Sequence, residues 1–300
     1  MKVLVTGAEG MVGSTLCPAL RREGHQVQVT DLKPMSAECQ LLDVRDRAAV
    51  SRTIDTVRPE LVMHLAAETD VDRCELEPAH AYLTNAVGTE YVAAACKTRS
   101  IRLLYMSTAG VFDGEKPSPY IETDEPNPVN VYGRAKLAGE YAIRQYGGIY
   151  QIVRAGWMVG GYERDKKFAG KILRLLEEQH ALRVVTDKVG TPTFTEDLTQ
   201  GLLVLIGTAH VGVFHMTNHG SCSRYDFALK LVEYLGRKDV VISPISSDAF
   251  PLPASRAASE VLQNARLESL GLDLMPTWQE SLRRYVQQYQ TVVKTCVSSS

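Results

Sequence analysis

Six cysteines in 300 residues, none of them in a C-x-x-C pair, leave no disulfide framework and no thiol redox motif to build on. Cys17, Cys39, Cys74, Cys96, Cys222 and Cys296 read as reduced thiols of a cytoplasmic protein, mostly core filler. A basic surplus is also missing. Lys and Arg number 33 against 35 Asp and Glu, for a formal net charge of −2, which removes the electrostatic footprint of a nucleic-acid binder. No apolar run approaches the roughly 20 residues of a membrane-spanning helix. The opening Lys2-Val3-Leu4-Val5-Thr6 lacks the charged, apolar and cleavage-site order of a signal peptide. The seven histidines show neither H-x-x-x-H nor H-E-x-x-H spacing, so no metal site is expected. No repeat period is visible. What remains is an ordinary chain, 45% hydrophobic and long enough for one large core or two interleaved lobes.

The dominant pattern is alternation. Short apolar runs at 3–5, 27–29, 41–42, 61–65, 103–106 and 149–153 predict strands, and helical periodicity at 11–20, 50–57, 86–96 and 131–145 fills the gaps between them. Strands alternating with helices of this length imply a mainly parallel, doubly wound α/β sheet. The second half is less regular. It predicts an amphipathic helix over 168–179, a strand over 211–216, a helix over 225–235, a proline-containing loop over 248–255 and a frayed tail over 295–300. No linker separates the halves. We therefore expect a nucleotide-binding domain over 1–155, receiving segments near 183–210, and a smaller, interleaved C-terminal lobe made mainly of 156–300.

Gly7-Ala8-Glu9-Gly10-Met11-Val12-Gly13 is a G-x-x-G-x-x-G turn between the first strand and the first helix. Glycines let such a turn tighten and let backbone N–H groups approach a pyrophosphate at the helix N-terminus. Asp31 ends the second strand about 20 residues on, where an acid can bond a ribose 2′-hydroxyl. Together these predict a Rossmann-type dinucleotide site. Asp31 favours NADH over NADPH, and Lys33 partly offsets that preference, so either cofactor is admitted. Tyr132 and Lys136 stand four apart on one helix face. A neighbouring ammonium would lower the phenol's pKa and make Tyr132 a usable proton donor to a carbonyl. Ser107 and Thr108 both close the fifth strand at the edge where ligands bind, and either hydroxyl could polarise the same carbonyl.

The motifs extend over nearly the whole chain. The glycine turn, His64-Leu65-Ala66-Ala67-Glu68-Thr69-Asp70, Asn85-Ala86-Val87-Gly88-Thr89, Ser107-Thr108-Ala109-Gly110-Val111-Phe112, Val131-Tyr132-Gly133-Arg134-Ala135-Lys136, Arg154-Ala155-Gly156-Trp157 and Thr191-Pro192-Thr193-Phe194-Thr195-Glu196-Asp197 resemble the dTDP-4-dehydrorhamnose reductase family of extended short-chain dehydrogenases. The resemblance implies that NADPH or NADH is lined by Gly10, Met11, Val12, Asp31, Asp43, Val44, Leu65, Ala66 and Ala67, together with Gly7, Tyr132 and Lys136. It makes Thr108, Tyr132 and Lys136 the catalytic triad. It turns Thr108, Ala109 and Trp157 toward a nucleotide-linked sugar, with Lys188 in the second lobe also at the substrate. It implies hydride transfer to the C4 ketone of a dTDP-linked 6-deoxyhexose, and it admits a homodimer.

Three departures from the family pattern stand out. Ala109-Gly110 replaces the usual Asp-Tyr beside the sugar, Lys166-Lys167 precedes Phe168 where Asn-Asn is frequent, and Lys188 follows Asp187 where Gln is common. Some members bridge a dimer through magnesium with an acid on the first helix. Thr15 stands at that position, so no such metal is expected. Two other functions share the fold: a sugar-nucleotide epimerase or dehydratase that retains NAD+, and a non-catalytic NADP-binding regulatory subunit like the beta subunit of methionine adenosyltransferase.

Overall fold

The structure, a computed structural model, describes residues 1–298. Alternation begins at once: β1 (Lys2–Thr6), α1 (Met11–Arg22), β2 (Gln26–Asp31), β3 (Gln40–Leu41), α2 (Arg47–Val57), β4 (Leu61–His64), α3 (Val71–Leu76), α4 (Pro78–Tyr82), α5 (Gly88–Thr98), β5 (Arg102–Thr108), α6 (Val131–Tyr146) and β6 (Tyr150–Ala155). The starts of these helices are chemically marked. The Asp46 side chain accepts the Ala49 N–H ahead of α2, and Asn130 accepts the Gly133 N–H ahead of α6. Each cap satisfies an N–H that has no partner inside the helix.

After β6 come β7 (Trp157–Val159), α7 (Phe168–Glu178), β8 (Ala181–Val185), β9 (Val189–Gly190), β10 (Pro192–Phe194), α8 (Thr195–Ile206), β11 (Gly212–His215), β12 (Cys222–Ser223), α9 (Arg224–Leu235), β13 (Val241–Ile245), β14 (Ser259–Glu260), α10 (Ala265–Ser269) and α11 (Trp278–Ser298). The expected frayed tail over 295–300 runs on to residues 299 and 300, which lie outside the described residues. None of the described helices is long and apolar enough to cross a membrane.

Seven strands form one parallel sheet in the order β11-β6-β5-β4-β1-β2-β3. From β1 the chain runs outward through β2 and β3, then returns to β4 on the other side. That reversal between β1 and β4 is the point where open α/β sheets bind ligands, beyond the carboxyl ends of the strands. Side chains alternate across the sheet as the pleat requires. Val3 and Val5 join a core with Leu16 and Leu20 of α1 and with Leu198, Leu202 and Leu205 of α8. Leu4 and Val62 face the other way, onto Ile54 of α2 and Val92 of α5. Each fully buried aliphatic side chain contributes about 1.5–3 kcal/mol.

The second half does two things. It returns β11 to the edge of the main sheet against β6, and it packs α8 onto the α1 face. The rest builds a lobe of small sheets: β8 with β13, β7 with β10, and β9 between β12 and β14. Its core gathers Trp157, Leu173, Leu176, Phe194, Phe227, Leu231, Trp278 and Leu282. The carboxyl ends of β4 and β5 and the start of α6 therefore face this lobe across a cleft.

Candidate active site

The glycine turn after β1 packs directly against the segment that follows β4. Gly7 has φ +70°, and a Cβ on it would stand 2.6 Å from the Ala66 backbone nitrogen, in the segment that follows β4. Only glycine combines that backbone conformation with that approach. Gly10 is the N-cap of α1, with no side-chain cap and no acid in the first turn, so the N–H groups of this helix end stay free for an anion. Met11 and Val12 open α1, and Leu65, Ala66 and Ala67 follow β4, all partly buried around the same turn. These features fit a dinucleotide diphosphate.

At the far end of this groove Asp31 closes β2. Its carboxylate accepts the Glu9 N–H at 3.1 Å and the Lys33 N–H at 2.9 Å. Asp43 lies farther along the same edge and pairs with Arg45 at 2.6 Å, which holds its carboxyl below the usual range. The adjacent Val44 is buried against Gly88. Lys33 is exposed.

Tyr132 and Lys136 come from the first turns of α6. That helix approaches the turn after β5 so closely that a Cβ on Gly133 would stand 2.1 Å from the Gly110 carbonyl oxygen. Glycine at that position brings Tyr132 beside Thr108, whose hydroxyl favours the phenolate. Thr108 ends β5, and its Oγ1 also accepts the Gly110 N–H at 3.1 Å. Ser107, the competing hydroxyl, is committed elsewhere. It donates to Glu140 at 2.6 Å, and Glu140 is in turn bound to Arg154 at 2.7 Å in a fully buried pair. The structure thus brings Thr108, not Ser107, to the tyrosine.

Lys136 departs from expectation. Its Nζ donates to the Met106 carbonyl at 2.7 Å and lies 4.0 Å from the centre of the Tyr105 ring. Lowering of the Tyr132 pKa by the Lys136 ammonium does not hold here. Burial dominates and raises the Tyr132 pKa, the neighbouring Thr108 hydroxyl lowers it, and the charge of Glu260 raises it further. Tyr132 is therefore held protonated at neutral pH, as a proton donor must be. Burial also pulls Lys136 down, to about 7. Behind them His64 is fully buried between Thr6 at 2.7 Å and Thr89 at 3.1 Å, and burial depresses it to about 3, so it is a neutral strut.

Across the cleft Trp157 is buried at the start of β7, and its indole N–H donates to Glu260 on β14 at 2.6 Å. The Arg224 guanidinium stacks 3.5 Å from the Trp157 ring centre and 4.8 Å from that of Phe168. Ala109 is buried in a 3-10 turn over Ala109–Val111, directly after Thr108. The second-lobe lysines hold the walls together. Lys188 donates to the Arg256 carbonyl at 2.9 Å, Arg256 pairs with Asp72 at 3.0 Å, and Lys167 reaches the Thr69 carbonyl at 2.6 Å. Lys166 is exposed.

The RmlD substrate binding domain matches residues 1–291. The chain belongs to that family. A dTDP-4-dehydrorhamnose reductase of Mycolicibacterium smegmatis is 36% identical over 284 residues, covering 94% of this chain and 84% of that protein. The spore coat polysaccharide biosynthesis protein SpsK of Bacillus subtilis is 33% identical over 287 residues, covering 96% and 97%. The solved dTDP-4-dehydrorhamnose reductase of Bacillus anthracis in complex with NADP superposes with a TM-score of 0.90 at 35% identity, covering 96% of this chain and 99% of that one.

Within this RmlD-family chain, three cleft residues escaped sequence reasoning. Asn85, fully buried on a π-helical turn over Leu83–Val87, takes the Glu68 N–H at 2.8 Å and donates to the Glu68 carbonyl at 2.9 Å, which fixes the segment after β4. Its only signal was its place in the Asn-Ala-Val-Gly-Thr motif. Arg224 and Glu260 carried no signal, because no local spacing links them to Tyr132. Away from the cleft, His219, Glu268 and Asp273 bring donor atoms within 4.8 Å of one another, but Gln263 and Asn264 already hold the two carboxylates.

Proposed function

We propose that the protein is an NADPH- or NADH-dependent reductase of a keto group on a nucleotide-linked sugar, and within that class a reductase of the C4 ketone of dTDP-4-dehydrorhamnose. One observation carries the reading. The Tyr132 phenol, kept protonated by burial, stands beside the Thr108 hydroxyl at the carboxyl edge of β5, one helical turn from Lys136, with the uncapped N-terminus of α1 following the glycine turn. The bound dinucleotide would be held by the turn from Gly7 to Val12, by Asp31, Asp43 and Val44 at its adenosine end, and by Leu65, Ala66 and Ala67 after β4. It supplies the hydride. The chain supplies the rest: Thr108 bonds the ketone oxygen, Tyr132 gives that oxygen its proton, and Lys136 restores the proton and holds the nicotinamide ribose. The sugar lies against Ala109 and Trp157, with Lys188 on the nucleotide side. The names of the close relatives, and the NADP in the Bacillus anthracis structure, support this assignment. Cys17, Cys39, Cys74, Cys96 and Cys222 are unpaired and buried, which fits a reducing cytoplasm.

A panel of dTDP-, UDP-, GDP- and CDP-linked 4-keto-6-deoxysugars, followed by loss of NADPH and NADH absorbance, tests the assignment. Stoichiometric oxidation of the cofactor with a dTDP sugar is expected. Retained NAD+ without net consumption of reduced cofactor would mean an epimerase or dehydratase. Binding of NADP with no turnover of any ketosugar would mean a regulatory subunit.

Asp31 offers a second check. Its carboxylate accepts a ribose hydroxyl and repels a 2′-phosphate. Asp31→Ala is expected to weaken NADH about tenfold, the worth of a charge-assisted hydrogen bond, and NADPH much less. Equal losses for both, in fluorescence titrations, would remove Asp31 from the ribose.

A further inference from the structure

A carboxylate that the reaction above does not use stands between Trp157 and the catalytic tyrosine. Glu260 is the second residue of β14, and the pairing of that strand with β9 sets Glu260 opposite Gly190. The Thr191 hydroxyl adds a contact of 3.5 Å to the Glu260 carbonyl. The backbone is therefore anchored twice. One carboxylate oxygen, Oε2, accepts the Trp157 indole N–H at 2.6 Å. The other, Oε1, has no hydrogen-bond partner among the described residues.

The direction of Oε1 is informative. It lies 3.6 Å from the point that a Cβ on Gly110 would occupy, and Thr108 Oγ1 lies 3.4 Å from the same point. Ala109 and Gly110 bring no polar side chain to this wall, and Glu260 brings a carboxylate to it. The charge of Glu260 also acts on Tyr132, where it disfavours the phenolate, and on Arg224, where it favours the guanidinium. An unpaired anionic oxygen beside Thr108 would oppose negative charge growing on a ketone oxygen there. A substrate that brings its own donor to Oε1 removes that opposition. A substrate without one leaves a partly buried carboxylate oxygen unsatisfied, and one with its own carboxylate is repelled.

We propose that Glu260 is a specificity-determining residue of the sugar subsite, whose Oε1 accepts a hydrogen bond from the hydroxyl on the carbon next to the ketone. The substrate class is then narrowed to α-hydroxy ketosugars. Trp157 holds the carboxylate in place through Oε2, and Arg224 balances its charge across the Trp157 ring. The inference rests on the reductase reading, and the experiment separates the two.

The test compares wild type, Glu260→Gln and Glu260→Ala on two substrates: a dTDP-4-keto-6-deoxyhexose with its 3-hydroxyl, and the 3-deoxy counterpart. Wild type is expected to favour the 3-hydroxy sugar in kcat/KM by about tenfold to a hundredfold, the range for a hydrogen bond to a charged group. Glu260→Gln preserves the shape and an acceptor for the indole, and its preference should fall severalfold. Glu260→Ala should bring the ratio near one. NADPH affinity should stay unchanged in both, which a general loss of structure would not allow. Turnover with the same ratio in all three proteins overturns the role of Glu260 and leaves the reductase reading standing. Absence of turnover by wild type with either sugar overturns both.

Discussion

Tyr132→Phe is expected to bind NADPH as wild type does and to lose turnover by a factor of about 10²–10⁴, the usual contribution of a positioned acid. The substitution deletes one oxygen. The ring, the helix that carries it and the Asn130 cap at 2.9 Å stay in place. The Lys136 contact with Met106 at 2.7 Å does not involve the phenol, so the neighbouring lysine also keeps its position. What goes is the proton donor beside Thr108. Burial and the charge of Glu260 hold the Tyr132 pKa above its ordinary value, so in the wild type the phenol carries its proton at neutral pH. Single-turnover loss of NADPH absorbance measures the step, and a titration of NADPH fluorescence measures binding. Comparable kcat in the two proteins would remove Tyr132 from the role of acid. A parallel loss of NADPH affinity would mean that the substitution acts through structure.

The first half of the fold was legible because its signals are local. A glycine turn between an apolar run and a helical pattern marks β1 and α1, and the alternation after it needs no tertiary knowledge. The edges were blurred where strands are short: β3 holds only Gln40 and Leu41, both exposed, one residue earlier than the apolar pair suggests. The second half hid more. β9, β12 and β14 have two residues each, too few to show a period. α11 carries Trp278, Leu282, Tyr285 and Val286 inward at helical spacing, yet Gln287, Gln288 and Gln290 beyond them mask that stripe.

The site divides along the same line. Tyr132 and Lys136 are one helical turn apart, and Gly7 to Gly13 form one turn, so sequence spacing reveals them. The choice between Ser107 and Thr108 needed the fold, because only the buried Glu140 explains why Ser107 turns away from the cleft. The charge state of Tyr132 needed it too. Four-residue spacing places Lys136 near the phenol, but burial and the Met106 carbonyl decide where its ammonium goes and how it titrates. Glu260 and Arg224 are farther still from any local signal, since more than 90 residues of chain separate each of them from Tyr132.

Glu140→Ala is expected to cost about 3–5 kcal/mol of stability, the range for removing one partner of a buried ion pair. Glu140 and Arg154 are both fully buried, and two hydrogen bonds of 2.9 and 2.7 Å join them. Attraction in the low-dielectric interior offsets the desolvation of both charges only while both are present. With alanine at 140 the Arg154 guanidinium keeps its burial and loses its counter-charge, and Ser107 loses its 2.6 Å acceptor at the end of β5. The Phe112 ring, 5.1 Å from the guanidinium, cannot replace a carboxylate. At about 2 °C per kcal/mol for a chain of this size, the melting temperature should fall by about 6–10 °C. The pair also ties α6 to β5 and β6, the elements that hold Tyr132 and Thr108, so activity should fall alongside stability. The double variant Glu140→Leu with Arg154→Met separates charge from packing, because an apolar pair of similar volume leaves no orphaned ion. Recovery of most of the lost stability in the double variant is the expected result. A double variant no more stable than Glu140→Ala would show that shape at this junction, and not the uncompensated guanidinium, sets the cost.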